Sequence, residues 1–142
     1  MPKILNLFKS TNKIFKRDRI RKIRSSNDKF KLLHNDEEIN IRVRKIKQFS
    51  QKLNGLLFKN AILSEQWFCI YGSKAFNSFG IFQPVDVIFC DIKRRVFEIY
   101  RNFPPNKFSK YHKETYSIYV LAGNGANIYK IEKDDILSTR TI

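Results

Sequence analysis

The sequence predicts a mainly β domain of the compact sandwich or barrel-like kind, with one or two short helices, preceded by a basic N-terminal helix. Three observations predict it. Period-two alternation runs through Ile39, Ile41 and Val43, as in a strand with one buried face. Continuous apolar runs at Trp67–Tyr71 and Val85–Cys90 suit strands covered on both faces. Turn residues recur between these runs: Asn35-Asp36, Gly72-Ser73, Pro84, Asp91, Pro104-Pro105 and Gly123. Several short strands with such punctuation argue for a sandwich or barrel.

Residues 1–33 stand apart in composition. They hold eleven of the chain's 28 lysines and arginines, against only Asp18 and Asp28. Ile4, Phe8, Thr11 and Phe15 recur at helical spacing, so residues 3–24 read as a basic amphipathic helix that Ser25–Asp28 ends. Domain organisation is therefore read as an arm at 1–33 and a β domain at 34–142.

Within that domain, Phe30 to His34 reads as a short strand and Asn35 to Glu38 as a turn. The alternating strand from Ile39 ends or bulges at Ile46, where the parity breaks. Ser50 would cap a helical turn through Leu53 that Gly55 closes. After the strand at Trp67–Tyr71, Gly72 to Lys74 is a loop. Val85, Val87 and Phe89 share one strand face, with Asp86, Ile88 and Cys90 on the other. Asp91 to Arg94 is a hairpin turn and Val96 to Phe103 the return strand. Asn106 to Thr115 is a polar, basic loop, and Tyr116 to Leu121 a strand. Asn124 or Asn127 would cap a short helix before Ile131. Ile136 to Thr141 is the final strand.

At 142 residues the chain can bury a core without disulfides or metal. The net charge of +15 favours polyanionic partners, nucleic acid or an anionic membrane surface. Cys69 and Cys90 sit in apolar runs and read as small buried hydrophobes in a reducing compartment. No stretch approaches a transmembrane span, and the apolar run at Ile4–Phe8 is too short for a signal peptide. A cytoplasmic location is the expectation.

Wording and order of the turns also carry a resemblance. Ile41-Arg-Val43, Leu53-Asn-Gly-Leu-Leu-Phe58, Asn77-Ser-Phe-Gly-Ile81, Pro84-Val-Asp-Val-Ile-Phe-Cys-Asp91, Val120-Leu-Ala-Gly123 and Lys133-Asp-Asp135 follow one another in the order of a known motif set. From about Ile39 onward the chain resembles the DUF192 (UPF0127) family of small β domains. The segment from Pro84 to Asp91 is the most specific of these matches. The chain has Asn77 where members often carry His, Ile81 for Met, and Asp134 for the Gly of the closing turn. The resemblance implies a compact, mainly β fold and no particular reaction.

Chemistry is sparsely signalled. There is no Gly-x-Ser-x-Gly elbow, no Cys-x-x-Cys or His-x-x-x-His spacing and no phosphate loop. The two histidines, His34 and His112, read as exposed surface residues. No cofactor or metal is expected, and an enzymatic role is the less favoured reading. Asp86 is the sharpest candidate. It either joins Ser73, Lys74, Asn77 and Ser78 in a small-ligand or carbohydrate site, or pins the bend before its own strand by accepting backbone N–H bonds. Pairing with Glu98 or Asp91 for hydrolysis finds no support in the spacing. The other candidate is the arm, where Lys16, Arg17, Arg19, Arg21, Lys22 and Arg24 would meet phosphates. Its apolar side would suit a membrane interface, a partner groove or the β domain itself.

Overall fold

The computed structural model describes residues 30–47 and 65–142. Residues 1–29 of the arm and the turn at Ser50–Leu53 lie outside the described residues, as does the Leu53–Phe58 motif; residues 30–33, counted above with the arm, belong to the first strand of the sheet. Among the described residues seven strands form one sheet: β1 (Phe30–His34), β2 (Glu37–Lys47), β3 (Gln66–Tyr71), β4 (Val85–Cys90), β5 (Val96–Phe103), β6 (Ser117–Ala122) and β7 (Leu137–Thr141). One short helix, α1 (Gly125–Ile128), follows β6. The strand order is β5-β4-β6-β3-β2-β1-β7, with β2 and β3 parallel and the other neighbours antiparallel.

The two ends of that order meet. Arg95 and Ile136 form an antiparallel bridge. Val96 N–H donates to Asp135 O at 2.8 Å, and Leu137 N–H donates to Arg94 O at 3.0 Å. The sheet thus curls into a barrel closed along a short seam between the starts of β5 and β7.

Because the sheet curls, its two faces become an inside and an outside, and both are apolar at the centre. Leu32, Ile41, Val43, Trp67, Ile88, Leu121 and Leu137 pack in the interior. Phe68, Ile70, Val85, Val87, Phe89, Ile118 and Val120 pack on the outer face. There the loop between β3 and β4 covers them with Phe76 and Ile81, which are buried. Burial on both sides explains why β3, β4 and β6 are continuous apolar runs. Each large side chain so covered contributes about 1.5–3 kcal/mol.

Two sequence expectations change here. β2 neither ends nor bulges at Ile46: it continues to Lys47. The parity break arises because Lys45 takes the inward position after Ile41 and Val43, while Ile46 turns outward into the outer core. The helix after β6 is not capped by an asparagine side chain. Asn124 stands at its N-cap in a left-handed conformation (φ 72°) and makes no side-chain cap bond. Asn127 lies inside the helix. The cap comes from Asp86.

Candidate functional site

Asp86 is fully buried. Its Oδ1 accepts the N–H of Asn102 at 2.8 Å and of Asn124 at 3.0 Å, and its Oδ2 accepts the N–H of Ala126 at 2.9 Å. One carboxylate thus ties the end of β5 to the β6–α1 turn and satisfies the open N–H groups at the start of the helix. Gly123 permits this crowding, since a Cβ there would lie 2.7 Å from Asn102 Oδ1 and 3.1 Å from Pro84 O. Of the two roles open to Asp86, this geometry is the pinning one, with the pinned backbone distant in sequence.

The other four residues of the sequence-derived site lie in the loop between β3 and β4, whose Phe76 and Ile81 pack on the outer face. Asp86 shares the inner face with Ile88 and Cys90. The structure therefore divides the five residues between the two faces of β4, and does not assemble them around one cavity. Lys74 donates its ammonium to the carbonyls of Lys113 (2.8 Å) and Thr115 (3.1 Å). Ser78 is buried; its hydroxyl donates to Pro104 O at 2.7 Å and accepts the Lys107 N–H at 2.8 Å. Ser73 is half-buried in the same loop.

These bonds zip the 72–84 loop to the 104–115 loop. Ser78 N–H donates to Lys107 O, Ser109 N–H to Phe76 O and His112 N–H to Lys74 O, at 2.7–2.8 Å. Asn77 and Phe108 form an isolated bridge. The Asn77–Ile81 segment is a tight turn for local reasons. Asn77 Oδ1 accepts the Phe79 N–H at 2.8 Å, and Ile81 N–H returns to Ser78 O at 3.1 Å. Gly80 sits at φ 87°, the value that the third position of a type II turn demands and glycine supplies without strain.

The turn presents aromatic rings outward. Phe79 lies against Phe108, with ring centroids 4.9 Å apart and planes at 61°. Phe82 is 87% exposed, Phe108 67% and Tyr111 71%. Lys107 and Lys110 flank Phe108 and are exposed. The zipped loops thus carry an aromatic face edged with lysines. The residue types were plain in the sequence, but their convergence across about 30 positions was not. The six basic candidates from Lys16 to Arg24 lie outside the described residues.

Both histidines depart from the exposed-surface expectation. His34 Nε2 lies 2.8 Å from Asp135 Oδ2, with both side chains less than one-fifth exposed. Burial works to raise the Asp135 pKa. The Glu132 N–H, His34 and Asn35 bonds outweigh it and hold the carboxyl below its usual range. His112 is half-buried, 2.8 Å from the Tyr100 hydroxyl and packed against Phe89 at 4.7 Å between centroids. Neither ring is a free surface group.

No group of three His, Cys, Asp or Glu side chains among the described residues is placed to hold a metal. Cys69 and Cys90 are free and buried. Burial pushes the Cys69 thiol up to about 11 and the Cys90 thiol further still, so neither supplies a thiolate nucleophile near neutrality. Strand β6 lies between their strands, too wide a separation for a disulfide. No helix among the described residues is long and apolar enough to cross a membrane.

Neither a family model nor a curated protein matches the sequence. Two solved structures share the fold. A protein of unknown function from Novosphingobium aromaticivorans superposes with a TM-score of 0.64 at 18% identity, covering 78% of this chain and 83% of its own. A protein from Sinorhizobium meliloti, described as a candidate transcription regulator, gives a TM-score of 0.64 at 13% identity, covering 78% and 92%. At these identities the likeness is one of fold alone.

Proposed function

We propose that this protein is a non-enzymatic binding module for single-stranded nucleic acid, within the DUF192-type family that its motifs resemble. The exposed aromatic face of Phe79, Phe82 and Phe108, edged by Lys107 and Lys110, carries this reading. Bases stack on aromatic rings whatever their sequence, while lysines follow the backbone. The net charge of +15 supplies attraction, and the arm's Lys16, Arg17, Arg19, Arg21, Lys22 and Arg24 add phosphate contacts. The regulator label on the Sinorhizobium protein is in keeping with it. A carbohydrate or hydrolytic site at Asp86 is less favoured, because that carboxylate already accepts three backbone bonds.

Fluorescence anisotropy with the full chain tests the reading, using a labelled single strand and its duplex over a salt series. Phe82→Ser combined with Phe108→Ser is expected to weaken single-strand binding by about tenfold, the loss of one or two stacked bases, at unchanged salt slope. Replacing Arg17, Arg19 and Arg21 by Gln is expected to flatten the slope. Equal affinity for duplex and single strand, indifferent to both phenylalanines, refutes it. Co-flotation with anionic vesicles in place of strand binding moves the same surface to a membrane role.

A further inference from the structure

The strongest unexplained feature lies at the opposite end of the barrel from Asp86. The inner face of β2 runs Ile41, Val43 and then Lys45, placing an ammonium where the core pattern calls for an apolar group. Beside it opens a cavity of about 370 Å³, within the size range of small-ligand sites. Arg94, at the tip of the β4–β5 turn, reaches the same cavity. The remaining lining residues are six that bear hydroxyls, among them Ser117 and Tyr119 from β6 and Thr139 from β7.

No carboxylate lines this mouth. Neither Lys45 nor Arg94 forms an ion pair among the described residues. Asp91, on the same turn as Arg94, turns its Oδ1 to the N–H groups of Lys93 and Arg95 at 2.9 and 3.0 Å. Lys45 is held instead by rings: its Nζ lies 4.1 Å from the Phe30 centroid and 5.8 Å from that of Tyr71. Partial burial presses the Lys45 pKa down against an opposing pull from Cys69, and the charge of Arg94 adds a smaller push in the same direction as burial. Lys45 is half-buried and Arg94 exposed, and like charges lining one recess favour an anion between them.

Donor geometry narrows the anion. An arginine fork, a lysine point charge and several hydroxyls suit an oxyanion with three terminal oxygens. At the rim, Tyr71 and Tyr116 stand edge to face, 5.6 Å between centroids, and Tyr116 is 41% exposed. A lysine merely snorkelling past the barrel end leaves Arg94 and the hydroxyl lining without a role.

We propose that the barrel mouth between Lys45 and Arg94 is a binding site for a small phosphomonoester. The two cations and the hydroxyl lining take its phosphate, and Tyr71 and Tyr116 take its organic part. This site is separate from the aromatic loop face, so either can fail without the other.

Isothermal titration of the full chain at physiological salt tests it, with inorganic phosphate and phenyl phosphate as probes. Phenyl phosphate should bind more tightly than phosphate, because only it engages the two tyrosines. Lys45→Met and Arg94→Met should each weaken it by about tenfold or more, the loss of a charge-assisted contact. Lys130→Met removes the same charge just past α1, outside both proposed sites, and should leave it within about twofold. Arg94 is exposed, so its variant keeps the test free of folding defects. Failure of the wild type to bind phenyl phosphate overturns the proposal. So does equal weakening by all three substitutions, which marks diffuse attraction to a basic protein. A 5′-phosphorylated strand that competes with phenyl phosphate, where its unphosphorylated counterpart does not, makes a strand end the source of the monoester; competition by neither leaves the free small molecule.

Discussion

Replacing Asp86 by Asn separates a structural carboxylate from a ligand-binding one. The side chain is fully buried and accepts three backbone N–H bonds of 2.8–3.0 Å. Asparagine keeps one oxygen, which can still accept from Asn102 and Asn124, but turns an NH₂ toward the Ala126 N–H. That donor is left unsatisfied at about 1–3 kcal/mol, and the two retained bonds lose roughly 0.5–1 kcal/mol each with the charge. The expected loss is roughly 3 kcal/mol, or a fall in Tm of roughly 10 °C for a chain of this length. Urea unfolding followed by circular dichroism reads it directly. Asn124→Gly is the companion variant: it keeps the left-handed backbone and the N–H that Asp86 accepts, so a change within about 0.5 kcal/mol is expected. A loss under about 1 kcal/mol for Asp86→Asn would refute the argument that this carboxylate holds β5 and α1 together.

Acid stability is expected to carry a contribution from Asp135. Its folded pKa is depressed by the Glu132 N–H, His34 and Asn35 bonds acting against burial. The stabilisation is therefore present above the ordinary carboxylate value of about 4 and lost as pH falls through the lower folded value. Asp135→Asn should flatten the acid limb of a stability–pH curve, and a variant curve parallel to the wild type counts against this. Thiol chemistry gives a second check. With both cysteines buried and their thiols pushed up, the native protein should resist Ellman's reagent at pH 8 and react at both in urea. Fast native labelling would contradict the closed interior.

Much of the fold was legible because strands announce themselves locally. Alternation in Ile39–Val43 and the apolar runs of β3 and β4 depend only on which faces are covered, and the face assignment of Val85 through Cys90 follows from parity alone. The site was far less legible. Asp86 reaches N–H groups 16, 38 and 40 residues away, and no local pattern encodes such partners. Asn124 satisfied the composition rule for a cap, but a left-handed backbone turned its side chain away from that task. The parity break at Ile46 misled for the converse reason. A charged residue in an inward register looks like the end of a strand unless the barrel is known to open there. The histidines looked exposed because their sequence neighbours are polar, whereas their actual contacts, Asp135 and Tyr100, come from other strands and turns.

The seam between β5 and β7 has a kinetic consequence. Strand β7 also pairs along its length with β1, joining residues about 100 positions apart: His34 with Leu137, Phe30 with Thr141. Loops of that length close slowly, so these ladders are expected among the last to form. Ser138 and Thr139 belong both to that late strand and to the barrel mouth. The mouth therefore does not exist in any species lacking β7, and a ligand held there would bind only the completed barrel. Such a ligand would slow unfolding to the extent that opening begins by peeling β7 away, making the residence time of a small anion a clock for the last step of assembly.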